Sequence, residues 1–217
     1  WWRQHGGEVL GTTIDKYCYI SVRSLPPFFE HKHRIVYSQI ENVQTIGEIN
    51  HPVVREAFNQ LNVQGGLEVH HDGDLPARSG MGSSSSFAVG LLNALHVLRG
   101  EFISKQDLAK EAIHLEQELI KENVGSQDQI HTAHGGFNRV VFCPNGDHVI
   151  EPVIVPPARK EALEKHLLLF YTGISRFASE IAKTQIVNFS NREIELKEMA
   201  QMVSLRGAVK SNIKRNI

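Results

Sequence analysis

Asp74-Leu75-Pro76-Ala77-Arg78-Ser79-Gly80-Met81-Gly82-Ser83-Ser84-Ser85-Ser86 is the stretch that decides how this chain folds. Upstream of it, Leu67 to His71 is a strand candidate closed by the turn signal Asp72-Gly73-Asp74. Downstream, Phe87, Leu91, Leu95 and Leu98 lie on one stripe of a helix expected over Ser83 to Arg99, with Gly100 as its stop. Strand, glycine-serine loop and helix together make an anion cradle. Gly80 and Gly82 have no Cβ, so backbone N–H groups can approach an anion closely. The first helical turn adds unpaired N–H donors and a partial positive charge. The serine hydroxyls can reach a phosphate oxygen or a Mg2+ ion. One serine would suffice as a helix cap. Four in a row, after two glycines and a proline, exceed that need. No Lys lies between Gly80 and Ser86, which excludes a Walker A loop, and Ser85 stands where a dinucleotide fingerprint needs its third Gly.

On the N-terminal side of this segment, two strands are expected between Glu8 and Leu25, rich in β-branched and aromatic residues. Arg34 to Ser38 is a further strand. Val54, Ala57, Phe58 and Leu61 place a helix over His51 to Leu61, with Pro52 in its first turn. On the C-terminal side, Leu108, Ala112, Leu115 and Leu119 predict a helix over Lys105 to Glu122, with Ser104 and Asp107 as a capping pair. Strands follow at Arg139 to Phe142, Val149 to Val155 and Leu167 to Tyr171, and helical patterns from about Arg176 onward. The order is α+β. The tryptophans at the start read as helix packing.

The 217 residues carry a formal net charge of −1, so no polyanion-binding surface, and no nucleic-acid partner, is indicated. No apolar run has the length of a membrane span, so no membrane partner is expected. Two cysteines, Cys18 and Cys143, are too few for a disulfide framework, and a cytoplasmic location is the default. The twelve histidines include His70-His71, His31-x-His33 and His131-x-x-His134, but none completes a zinc-type ligand set. They read as surface or loop residues.

A second candidate cluster is acidic. Asp128 follows a turn after the second strong helix, and Glu116 lies on that helix twelve residues earlier. Two such carboxylates could converge on a nucleotide's phosphates, one orienting a hydroxyl and one holding Mg2+. The plainer alternative is a solvated helix face and a turn-favouring Asp.

These motifs together resemble the GHMP superfamily of small-molecule kinases, named for galactokinase, homoserine kinase, mevalonate kinase and phosphomevalonate kinase. The carriers are Pro-x-x-x-Gly-x-Gly-Ser-Ser-Ser at 76–85 and Gly-x-x-Asp-Gln at 125–129. The stretches Gly7 to Tyr17, Ala109 to Glu116 and Gly135-Gly136-Phe137-Asn138 are similar to the D-glycero-D-manno-heptose 7-phosphate kinase branch, and the likeness spans about residues 1–200.

The resemblance implies a ribosomal protein S5 domain 2-like ATP-binding domain over 1–155 and the start of a C-terminal α/β domain over 156–217. It implies ATP and Mg2+ as cofactors and a sugar or sugar phosphate as partner, and it leaves the oligomeric state open. ATP phosphates would lie on Pro76, Arg78, Ser79, Gly80, Met81, Gly82, Ser83, Ser84 and Ser85. Asp128 would be the catalytic carboxylate, with Ser84 and Glu116 holding the metal. The register within the four serines is open by one position. Asp15, Tyr17, Gln127, Thr172 and Arg176 would approach the sugar, Arg176 gripping a distal phosphate. A surface Arg opening a helix, and strand-end or core roles for Asp15 and Tyr17, are the alternatives.

Two family motifs are absent: the strand and Gly-Gly-Gly-Thr-Asp loop expected just before Trp1, and a C-terminal Gly-x-Gly-x-Gly loop. The chain therefore reads as a fragment that binds ATP weakly. Galactokinase, fucokinase and a catalytically silent sugar- or nucleotide-binding relative are the rival functions.

Overall fold

The computed structural model describes residues 2–76, 80–168, 170, 182–183 and 186–204. In chain order its elements are α1 (Trp2–His5), β1 (Gly7–Thr12), β2 (Cys18–Ser24), β3 (His33–Val36), β4 (Ile40–Val43), α2 (Pro52–Gln60), β5 (Leu67–Gly73), α3 (Ser83–Leu98), α4 (Lys105–His114), α5 (Gln127–His134), β6 (Phe137–Phe142), β7 (His148–Pro152), α6 (Pro157–Glu164) and α7 (Glu193–Ser204). Two compact units are present. One is residues 14–134; the other combines 2–13, 135–168 and the described parts of 181–204.

The 14–134 unit is a four-stranded sheet in the order β2-β5-β3-β4, covered by helices. β5 pairs antiparallel with β2 and parallel with β3. The parallel pair requires a crossover, and α2 lies within it. Ile35, Val69, Val54, Phe58, Leu91, Leu92, Leu95 and Leu115 are buried in one cluster. Each such side chain stabilises the fold by about 1.5–3 kcal/mol. α3 lies against β2 through Gly90. A Cβ there would come within 2.9 Å of Ile20 Cγ1, so only glycine permits this approach.

The other unit is a three-stranded antiparallel sheet, β1-β6-β7, with β6 central. Arg139 on β6 pairs with Glu8 on β1 (2.6 Å) and Glu151 on β7 (2.5 Å). Trp2 packs its ring 5.4 Å from that of Phe142, which ties α1 to the sheet.

Several elements differ from the sequence expectation. β4 was not expected, because its inward position is occupied by Glu41, 7% exposed. That carboxylate accepts from Tyr37 Oη–H (3.0 Å) and the backbone N–H groups of Asn50 (2.6 Å) and His51 (3.0 Å), so burial does not leave it unsatisfied. The helix expected over 105–122 ends as an α-helix at His114, and a π-helical turn, Leu115–Leu119, replaces its last part. After the turn, Asp128 sits on the first turn of a separate helix, α5, which was not expected. α6 has no buried residue and hence no apolar stripe to betray it; Lys160–Glu164 and Lys165–Glu161 pairs line its surface. Leu167, Leu168 and Phe170 lie outside any strand.

Candidate active site

Every described member of the candidate site lies in the 14–134 unit. β5 delivers the chain to Asp74, whose Oδ2 accepts from Tyr17 N–H (2.9 Å) while its own N–H donates to Tyr17 O (3.0 Å). The loop then returns through Gly80 and Gly82, at φ +76° and +71°, a conformation that costs a non-glycine residue about 1–2 kcal/mol. Gly82 itself is the N-cap of α3 and no serine side chain caps the helix. Ser83–Ser86 instead occupy its first turn, which leaves the leading N–H groups free of intrahelical partners.

Asp128 packs against this turn. A Cβ built on Gly82 would lie 3.4 Å from Asp128 Oδ2, an ordinary contact distance that places the carboxylate beside the helix N-terminus. The Asp128 residue is exposed at its edge. Even so, the surrounding protein strips enough water to push its carboxyl above the ordinary Asp range, with His131 one turn along α5 pulling the other way. A raised proton affinity suits a group that takes a proton from a hydroxyl.

Glu116 is 0% exposed and lies in the π-helical turn. Ile120 N–H donates to Leu115 O (3.0 Å), the i+5 spacing that widens the turn. Such turns recur at functional sites. The carboxylate accepts from Ser85 Oγ at 3.0 Å (Oε2) and 3.3 Å (Oε1), and from Ser84 Oγ at 3.4 Å. Gln129 Nε2 donates to Oε2. Burial raises the Glu116 pKa, and these three neutral donors oppose that rise. No cationic side chain among the described residues contributes. A buried carboxylate beside serine hydroxyls, without a protein cation, fits a hard divalent ion, which typically binds through one or two carboxylates and substrate phosphates. Among the described residues no group of three or more His, Cys, Asp and Glu could hold a metal.

The remaining expected residues distribute as follows. Pro76, Gly80 and Met81 are exposed in the loop, Ser84 is exposed on α3 and Ser85 is buried. The carboxylate of Glu116 thus meets both serines, and the nearer contact is to Ser85. Gln127 opens α5 and is exposed. Tyr17 is 60% exposed, so it is not a core residue, and Asp15 is exposed beside Lys16. Arg78, Ser79, Thr172 and Arg176 lie outside the described residues. Sequence reasoning missed Gln129 as a site residue. The signal was its place beside Asp128, one residue on, but a Gln on a helix gives no cue that it is buried.

Residues 48–136 match the GHMP kinases N terminal domain family. Over 115 residues it is 30% identical to the D-glycero-alpha-D-manno-heptose 7-phosphate kinase of Campylobacter jejuni, covering 53% of this chain and 34% of that protein. Over 145 residues it is 32% identical to the galactokinase of Pyrococcus furiosus, covering 64% of this chain and 39% of that protein. The chain thus spans well under half the length of both relatives. The crystal structure of a D-glycero-D-manno-heptose 1-phosphate kinase from Bacteroides thetaiotaomicron superposes with a TM-score of 0.67 at 20% identity, over 75% of this chain and 56% of that one. That likeness shows the GHMP kinase fold.

Proposed function

We propose that the chain is the nucleotide-binding part of an ATP-dependent sugar kinase, cytoplasmic, that transfers the γ-phosphoryl group to a sugar hydroxyl. The leading acceptor is the anomeric hydroxyl of D-glycero-D-manno-heptose 7-phosphate. The observation that carries this reading is the packing of Asp128 against Gly82 at the N-terminus of α3, with Ser84 and Ser85 joining the same turn to buried Glu116. A base, a phosphate cradle and a carboxylate for a cation share one face.

In this reading residues 1–155 form the ATP-binding domain, 156–217 begin the second, and the loop Pro76 to Ser85 with the first turn of α3 holds the ATP phosphates. Arg78 adds a cation there. Glu116 with Ser84 or Ser85 would hold Mg2+, which would offset charge on the phosphate oxygens. Asp128 accepts the proton of the sugar hydroxyl as its oxygen bonds to the γ-phosphorus and the bond to the ADP oxygen breaks. No covalent enzyme intermediate is needed, so positioning and electrostatics supply the rate. Asp15, Tyr17, Gln127, Thr172 and Arg176 are proposed sugar contacts. Tyr17 is tied to Asp74 at the entry of the loop, which supports its place in that set. Similarity to an archaeal galactokinase makes galactose the second acceptor to try.

The test is sugar-dependent ADP release from Mg-ATP, with heptose 7-phosphate, galactose, fucose and mannose offered in parallel to the parent and Asp128→Asn. Release with one sugar, lost in the variant, supports the reading and names the acceptor. Release that survives in Asp128→Asn removes the base from the mechanism.

A further inference from the structure

We infer that Gln129 is a positioning residue that holds Glu116 in place for the cation and, through its neighbour Asp128, fixes the spacing between the two carboxylates. The inference rests on the proposed reading of the site and deepens it. Gln129 is 0% exposed, an unusual setting for an uncharged amide unless its groups are used. Its Nε2 donates to Glu116 Oε2. With Glu116 ionised, as a cation site requires, only this orientation of the amide is acceptable, because turned over it would set oxygen against oxygen. In the orientation present, Gln129 Oε1 is buried with no hydrogen-bond partner among the described residues. Retaining an unpaired buried carbonyl for the sake of one bond to Glu116 marks that bond as the purpose of the side chain.

The three donors on Glu116 are not equivalent. A serine hydroxyl is both donor and acceptor, so Ser84 and Ser85 can rotate their hydrogens away from Glu116 and offer lone pairs to a cation. The amide NH2 of Gln129 has no lone pair to offer. Once the hydroxyls turn to the ion, Gln129 is the donor that still holds the carboxylate. It therefore matters more with the cation bound than without it. Partners of this kind, one step removed from the ion, commonly change affinity about 10–100-fold when removed. The same bond joins the first turn of α5 to the π-helical turn after α4, so it also sets where Asp128 stands.

The experiment is Mn2+ binding to the full chain with ADP, followed by electron paramagnetic resonance, for the parent, Gln129→Met, Glu116→Gln and the double variant. ADP binding without metal and the metal-free melting temperature are measured alongside. The expected result is Mn2+ affinity about 10–100-fold weaker in Gln129→Met, with metal-free ADP binding unchanged. In the Glu116→Gln background, Gln129→Met should cost nothing further. The inference is overturned if Gln129→Met binds Mn2+ like the parent while Glu116→Gln does not, and the site reading then stands. It is overturned equally if Gln129→Met weakens Mn2+ and metal-free ADP binding alike, or weakens Mn2+ just as much in the Glu116→Gln background. If the parent itself binds no Mn2+ with ADP, the reading of the site fails and the inference falls with it.

Discussion

The two sheets of this protein are stabilised by different means. The four-stranded sheet β2-β5-β3-β4 belongs to a unit whose core includes Phe58, Leu91, Leu92 and Leu95, each nearly or wholly inaccessible. The three-stranded sheet β1-β6-β7 contributes one buried apolar side chain among its described strand residues, Val140, and is laced by Arg139 with Glu8 and Glu151. Apolar burial is non-directional and grows with area; an ion lattice depends on geometry and on the fate of each charge. The candidate site lies wholly in the first kind of unit. A carboxylate as dehydrated as Glu116 needs a rigid, close-packed surround, and that unit supplies one.

The largest expected effect on this contrast concerns activity. Asp128→Asn should lower sugar-dependent ADP release about 10²–10⁴-fold, the range for loss of a general base, with an unchanged melting temperature. A simultaneous fall in melting temperature would make Asp128 structural. Next, Phe58→Ala should destabilise the 14–134 unit by about 3–5 kcal/mol, read from denaturant unfolding. Arg139→Ala removes the guanidinium that bonds Glu8 and Glu151 and should cost about 1–3 kcal/mol, read as faster amide exchange in β6. If Arg139→Ala cost more than Phe58→Ala, the contrast between the sheets would be reversed. Gly82→Ala should cost about 1–2 kcal/mol from its positive φ, read from denaturant unfolding.

The smallest effect is in pH. Burial raises the Glu116 pKa above its unfolded value, so its contribution to stability is present at pH below about 4.5 and is lost as pH rises through the folded value. Without divalent cation, the melting temperature of Glu116→Gln relative to the parent should therefore move in the variant's favour as pH rises. A difference that does not change with pH would mean that Glu116 keeps its ordinary pKa.

Much of this fold was legible. The stripe Phe87, Leu91, Leu95 announced α3, and β-branched and aromatic residues announced β1 and β2. What was lost had polar residues facing inward or no apolar face at all: β4 with its buried Glu41, and α6 with no buried residue. The site divides the same way. Glu116 and Asp128 were singled out by the resemblance to the kinase family, whereas Gly80, Gly82 and the serines could be named from residue types and spacing. The choice between Ser84 and Ser85 could not, because the helical rotation that points one hydroxyl inward is set by the packing of α3 against its neighbours.

By itself the sequence determined that a strand, a glycine-serine loop and a helix with free leading N–H groups would follow one another, because glycine φ freedom and unpaired helical N–H groups are local properties. Only the tertiary structure decided that Asp128, more than forty residues further on, stands against Gly82, and that Glu116 is sealed from water with Ser84, Ser85 and Gln129 as its donors. Those are contacts between helices. They depend on how the first turns of α3 and α5 and the π-helical turn that carries Glu116 pack together, which is not a property of any short stretch of chain.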